Sequence, residues 1–287
     1  MAALIEQMAI NGVLSGLVYV IMALGFTLIF GIMRIVNFAH GELYMISAFV
    51  MLVLYGRYEV NYFVALAAGV ALTALIGAVL ERLLFRRFLG DELGGMIMSL
   101  ALAIILQALA LMLFGPDEQT VPRIVTGVWH LHESVVSLDR AFVALCALVA
   151  LACFYGFIKY TRLGQAMQAV AQDRETASLM GIESGRVYLA SFAMGSALAA
   201  VAGALMAPVY TVGPYMGELP LLKAFVVVIL GGLGSIPGAL AGGLLIGVSE
   251  SVFATLFNST IALIASFVIV LMVIIVRPRG LLGKAMR

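Results

Sequence analysis

The sequence predicts an all-α integral membrane protein: a bundle of eight or nine transmembrane helices with short or re-entrant segments and one cytoplasmic helical loop. Three observations predict it. The 287 residues are 64% hydrophobic and only 11% charged, against about a quarter charged in a soluble domain. Mean hydropathy is +1.15, so a water-facing exterior would lack polar groups to cover it, whereas lipid accepts apolar surface. The apolar residues also fall into runs of roughly the 20 residues that a ~30 Å hydrocarbon core requires of a helix. A net charge of +1 provides no basic field for nucleic acid.

The first run, 8–30, is too long for the apolar core of a secretory signal, and no Lys or Arg precedes it, so it is expected to remain in the mature protein. Runs 62–84, 96–114, 141–158, 187–207 and 259–276 have spanning length. Runs 219–233 and 237–256 are divided by a turn around Ser235, Ile236 and Pro237. Run 43–55 is short, and reads as either crossing or re-entering; interrupted segments of this kind often line transport pathways. Cys146 and Cys153 share one run and read as small core residues, not as a disulfide or a metal pair.

Lys and Arg mark the cytoplasmic side. If all nine runs cross, Arg34, Arg82, Arg86, Arg87, Lys159, Arg162, Arg174, Arg186, Arg277, Arg279, Lys284 and Arg287 share one side, leaving Arg57, Arg123, Arg140 and Lys223 elsewhere. The N-terminus is then outside and the C-terminus inside. Gly12 and Gly16, Gly238 and Gly242, and Gly243 and Gly247 are GxxxG pairs, and Gly195, Ala199 and Gly203 continue the small-residue rows that let helix backbones approach in lipid.

Two connections are long. The outer loop 115–140 holds Trp129, His130, His132 and Glu133; with no third ligand position evident it reads as a wet loop or contact surface, with Trp129 as an interfacial anchor. The inner segment 159–186 has Leu163, Met167 and Val170 at helical spacing, then Asp173 placed to cap a second short helix, Arg174 to Met180, ended by Gly181. It reads either as a connector lying on the surface or as a docking element for a cytoplasmic partner.

Glu175-Thr176-Ala177-Ser-Leu-Met-Gly181 resembles the Glu-Ala-Ala-x-x-x-Gly signature of ABC importer permeases, with Thr176 in the second position and the trailing Ile-x-Leu-Pro absent. Asn37-Phe-Ala-His40-Gly-Glu42 and Gly231-Gly-Leu-Gly-Ser-Ile-Pro-Gly238 extend the likeness over nearly the whole chain to branched-chain amino acid importer permeases of the LivH type. That resemblance implies one permease domain, 1–287, in a bacterial inner membrane, with a periplasmic N-terminus, a periplasmic loop 115–140 and a cytoplasmic coupling segment 159–186. It implies a second related permease, as a heterodimer in preference to a homodimer, two ATPase subunits that bind the ATP, and a periplasmic substrate-binding protein. Asp173, Arg174, Glu175, Thr176, Ala177 and Gly181 would then meet an ATPase subunit, with Ala177 and Gly181 permitting close approach.

The chain has no phosphate loop of its own: at Gly283-Lys284, Pro278 and Ala285 stand where Gly and Ser or Thr are required. Intramembrane polar residues are pathway candidates: Asn37, His40 and Glu42 where the first run ends, Gln107 within 96–114, and Glu250 deep in 237–256. The first three read equally as a turn, a helix cap and a carboxylate matched to a helix N-terminus, and Glu250 equally as a structural carboxyl between helices. A gradient-driven transporter or channel, with Glu250 as its ion or proton site, is the alternative function; it leaves segment 159–186 without a role.

Overall fold

Apolar runs separated by glycine, proline and basic punctuation become helices throughout the computed structural model, which describes residues 2–131, 134–278 and 280–283. The helices are α1 (Ala2–Met33), α2 (His40–Met51), α3 (Tyr62–Leu83), α4 (Glu92–Phe114), α5 (Leu138–Tyr160), α6 (Arg162–Gln172), α7 (Arg174–Leu179), α8 (Ser184–Met206), α9 (Glu218–Gly231), α10 (Ile236–Leu256) and α11 (Ser259–Val276). Seven of them, α1, α3, α4, α5, α8, α10 and α11, are long and apolar enough to cross a membrane.

The two short helices resolve the question left by run 43–55. After α1, Arg34 takes a left-handed backbone (φ 56°) and the chain turns back into the bundle. Ile35 packs on Gly95 near the start of α4, the Phe38 amide donates to Ser99 Oγ (3.0 Å), and His40 Nε2 lies 3.3 Å from the Met22 carbonyl. Met22 is eleven residues before the end of α1, so α2 begins about 16 Å inside the bundle. A π-helical turn, Leu52–Arg57, extends α2, and Arg57 reaches Gln119 (2.7 Å) in the loop beyond α4. Residues 35–57 therefore cross, first extended and then helical. The expected helix 219–233 likewise is only α9, ending at Gly231; the preceding residues descend from the outer side, where Val212 pairs with Gln119. Among the described residues, seven of the nine runs are continuous helices of spanning length, and the other two are half-helices with irregular leaders.

The helix ends carrying most of the basic residues share a face. Gly31 of α1 meets Gly234 of the α9–α10 turn, Arg86 after α3 donates to the Gly185 carbonyl at the start of α8 (2.8 Å), and the Leu281 amide after α11 donates to the Leu230 carbonyl (2.8 Å). We call this the basic face. Arg279, Lys284 and Arg287 of the expected basic tail lie outside the described residues.

Packing follows the small-residue rows. The central helix α1 packs on α10, α8, α9 and α5. Gly12 and Gly16 interlock with Gly247 and Gly243 of α10: a Cβ on Gly16 would stand 3.0 Å from the Gly243 carbonyl oxygen. Gly25 of α1 and Gly195 of α8 face each other's carbonyls in the same way. Around these contacts Ile21, Leu24, Phe26 and Phe192 are completely buried. Both cysteines are free on α5; Cys146 is half-buried against the core, whereas Cys153 departs from expectation and is exposed.

Loop 115–140 is more ordered than a wet loop. Val128–Leu131 (β1) pairs antiparallel with Ser134–Ser137 (β2). The Gln7 side chain of α1 both donates to the Val135 carbonyl and accepts from its amide, each at 2.9 Å, so an edge strand is tied to the first helix. Trp129 is exposed on β1. His132 and Glu133, and the side chain of His130, lie outside the described residues.

Candidate functional site

A cavity of about 650 Å³ opens on the face opposite the basic one. Leu14, Val18 and Met22 of α1, Met206 of α8, Leu219 of α9 and Leu263 of α11 give it apolar walls; Glu118 and Arg140 stand among its residues from the outer connection. Lys223 of α9 forms an ion pair with Glu250 of α10, and the Lys223 ammonium sits 5.4 Å from the centre of the Tyr19 ring. Lys223 is 7% exposed. The carboxylate and the ring face together compensate the ammonium in this apolar place. The Glu250 Oε2 atom is buried without a hydrogen-bond partner.

A second polar cluster forms where the two half-helices meet. The Gly41 and Gly217 backbones touch, and side chains are excluded there because a Cβ on either would collide with the other's carbonyl. Beside this contact the Gln107 amide of α4 donates to Glu42 Oε1 (2.9 Å) and to Glu218 Oε1 (3.3 Å). Glu42 is 2% exposed and its Oε2 has no partner. Asn37 and His40 flank this cluster without joining its hydrogen bonds: Asn37 Oδ1 accepts from the Ala39 amide (3.0 Å) in a turn that opens α2, and the buried His40 ring stands edge-on to Phe26. Of the residues singled out in the sequence, Glu42 and Gln107 are brought together, while Glu250 lies in the cavity with Lys223.

On the basic face, segment 159–186 folds into α6 and α7. Thr161 caps α6, whose buried stripe is Gly164, Met167 and Val170; Leu163, expected in that stripe, is partly exposed. Asp173 caps α7 by accepting from the Glu175 amide (2.9 Å), the Thr176 amide (3.1 Å) and the Thr176 hydroxyl (2.7 Å). The Thr176 hydroxyl and amide hold the Asp173 carboxyl below its ordinary range. Gly181 follows in the left-handed conformation (φ 83°) that ends a helix. Arg174 lies over the Tyr188 ring of α8 at 5.3 Å. Ala177 is 4% exposed and lies against the bundle, where it seats α7. The outward side instead carries Leu179 and Met180, 87% and 79% exposed.

Four residues were overlooked in the sequence although signals existed. Lys223 falls within an apolar run, where a cation requires a partner, and Glu250 was the deep carboxylate available. Leu179 and Met180 follow from placing Ala177 inward on a one-turn helix. Glu218 is marked by an internal repeat: Gly, Glu, Leu, Ala, Phe, Val and Leu recur at the same spacing in 41–54 and in 217–230. The repeated strings are α2 and α9 with their N-termini together, one running to the outer face and the other to the basic face. This is an inverted pair of the kind that places binding sites where broken helices meet. The match fails at Ser47 and Lys223, so only one copy carries the cation.

The model of the family described as branched-chain amino acid transport system / permease component matches residues 8–276. The high-affinity branched-chain amino acid transport system permease protein LivH of Escherichia coli (strain K12) is 32% identical over 97% of this chain and 95% of its own length. Its counterpart BraD of Pseudomonas aeruginosa is 33% identical over the same shares. A probable branched-chain amino acid transport permease LivH of Methanocaldococcus jannaschii is 28% identical over 97% of this chain and 93% of its own length. No solved structure matches. With nearly every residue of the helical bundle inside these matches, the chain belongs to the family of branched-chain amino acid transport system permease components.

Proposed function

We propose that this chain is one half of the membrane pathway of an ATP-driven importer for neutral, branched-chain amino acids, working by alternating access in a bacterial inner membrane with its N-terminus periplasmic. Its partners are two ATPase subunits that bind the ATP, a second related permease in a heterodimer, and a periplasmic binding protein that delivers substrate to the cavity mouth. The substrate class is supported by the names of the relatives and by an apolar cavity of ample size for an aliphatic side chain.

The observation that carries the coupling role is the two-sided construction of α7. Ala177 seats it against the bundle, Arg174 links it to α8 through Tyr188, and Leu179 and Met180 project outward with Glu175. Exposed apolar side chains on a short capped helix, placed away from lipid, mark a partner surface. A push on that surface is transmitted to α8, and α8 packs on α1, α2 and α3. The gradient-driven alternative needs Glu250 to exchange a proton or ion freely, whereas Glu250 is held by Lys223.

The test is the double variant Leu179→Asp, Met180→Asp, purified in mild detergent from cells expressing the whole transporter. The expected result is a chain that inserts normally, loses its ATPase subunits and supports no ATP-driven leucine uptake. Full retention of both subunits and uptake would remove the docking reading.

A further inference from the structure

Glu218 is exposed, yet it lies at the first residue of α9, about 20 Å from the helix end on the basic face. Gln107 lies at similar depth, fifteen residues into α4 and about 10 Å from its outer end. A carboxylate exposed at this depth does not face hydrocarbon; it faces water or another protein chain. Beside it, Glu42 is almost wholly buried, and one of its oxygens has no partner. Two carboxylates thus converge on one neutral amide. Each sits in the first turn of a half-helix, where the N-terminal end of the dipole supports negative charge. Among the described residues, no Lys or Arg pairs with either carboxylate. Met216 and Leu219, two residues before and one after Glu218, line the apolar cavity, so the cluster and the cavity share the start of α9.

We propose that Glu42, Gln107 and Glu218 form a binding station for a primary ammonium group, the α-ammonium of the transported amino acid, at the centre of the inverted repeat. An ammonium has three N–H donors and no acceptor. It satisfies the free Glu42 oxygen and Glu218 together, while Gln107 keeps the two carboxylates apart. The aliphatic side chain is left toward Met216 and Leu219. Lys223, in the position equivalent to Ser47, stays with Glu250 on the cavity side and does not neutralise the pair. The proposal rests on the amino-acid importer reading for the identity of the ligand.

The test uses the complete transporter with Cys146 and Cys153 changed to serine and Glu218→Cys introduced. Modification by a trimethylammonium methanethiosulfonate is compared with that by the sulfonate reagent, each normalised to its rate with a free thiol. The expected preference for the cationic reagent is about tenfold. Isopentylammonium (leucine without its carboxylate) slows the reaction severalfold, whereas 4-methylpentanoate (leucine without its ammonium) does not. Glu42→Gln in the same background abolishes both preference and protection. No reaction with either reagent, or reaction without charge preference, overturns the proposal; so does equal protection by both ligands. Gln107→Cys provides a second position if Glu218→Cys fails to assemble. ATP-driven leucine uptake by the cysteine-free chain with Glu218 intact separates the two readings. Uptake without cation preference removes only the station. Preference and isopentylammonium protection without uptake remove the importer reading and leave a cation site.

Discussion

Replacing Lys223 by methionine keeps most of the length and volume of the side chain and removes the ammonium that faces Glu250 and Tyr19. Stranding one partner of a buried ion pair costs about 3–5 kcal/mol. The Glu250 side chain is 23% exposed toward the cavity, and partial hydration lowers this to about 2–3 kcal/mol. By the scaling for soluble chains of comparable length, that lowers the melting midpoint by about 5–10 °C. Glu250→Gln is expected to cost less, because a lysine ammonium can reach cavity water along its flexible stem. The double variant Lys223→Met, Glu250→Gln restores most of the loss, since a neutral pair leaves no buried charge. The assay is a double-mutant cycle on detergent-solubilised protein, heated and scored for the monodisperse fraction. A Lys223→Met protein as stable as the parent, or a double variant as labile as the sum of the singles, would refute the pairing as an energetic unit.

Two further outcomes test the packing and the cap. Gly247→Leu drives a side chain into the Gly12 and Gly16 backbone of α1 and is expected to cost at least the 1–3 kcal/mol typical of overpacking, whereas Gly156→Leu on α5, which meets open space, is expected to be neutral; equal yields of folded protein for both would contradict the α1–α10 interlock. Because the Asp173 carboxyl is held below its ordinary range by Thr176 and Glu175, its contribution to α7 is complete above the unfolded carboxylate range and is lost only as pH falls through the lowered folded value. An Asp173 carboxyl resonance that titrates at the ordinary value would show the cap to be open in solution.

The helices were legible because apolar length is a strong signal: seven runs became unbroken spans within a few residues of their expected limits. The α6–α7 pair was legible because Asp173 and Gly181 terminate helices for local reasons, a side-chain cap and a left-handed backbone, which act regardless of the rest of the fold. The extended leader 34–39 of α2 was not legible. Asn37 and His40 read equally as pathway residues or as a turn and helix cap, and what buries them is the fit of the leader against α1 and α4, which no local pattern records; Arg34 stays exposed. Partner identity failed for the same reason: Gln107 and Glu42 were noticed singly, and only the fold brings them, with Glu218, to a single amide.

The broken helices impose a requirement that the structure meets with a few side chains. Backbone that leaves helical hydrogen bonding inside a bilayer must be satisfied by protein, because lipid offers no donors or acceptors. In the first repeat, Ser99 accepts from the Phe38 amide and also lies within hydrogen-bonding reach of the Val36 carbonyl (3.3 Å), while Asn37 takes the Ala39 amide. In the second, Gln119 and Val212 exchange backbone hydrogen bonds, and Thr211 donates to Glu118 (2.6 Å). The first leader is satisfied by the interior of α4, and the second by the outer loop. The inverted copies therefore differ in what holds them. The leader of α9 borders the cavity and depends on a surface connection, whereas that of α2 is locked between long helices. The Gly41–Gly217 contact thus joins a leader held inside the bundle to one held at the outer loop, and the α9 side also bears Lys223 and leads through Gly231 to the basic face.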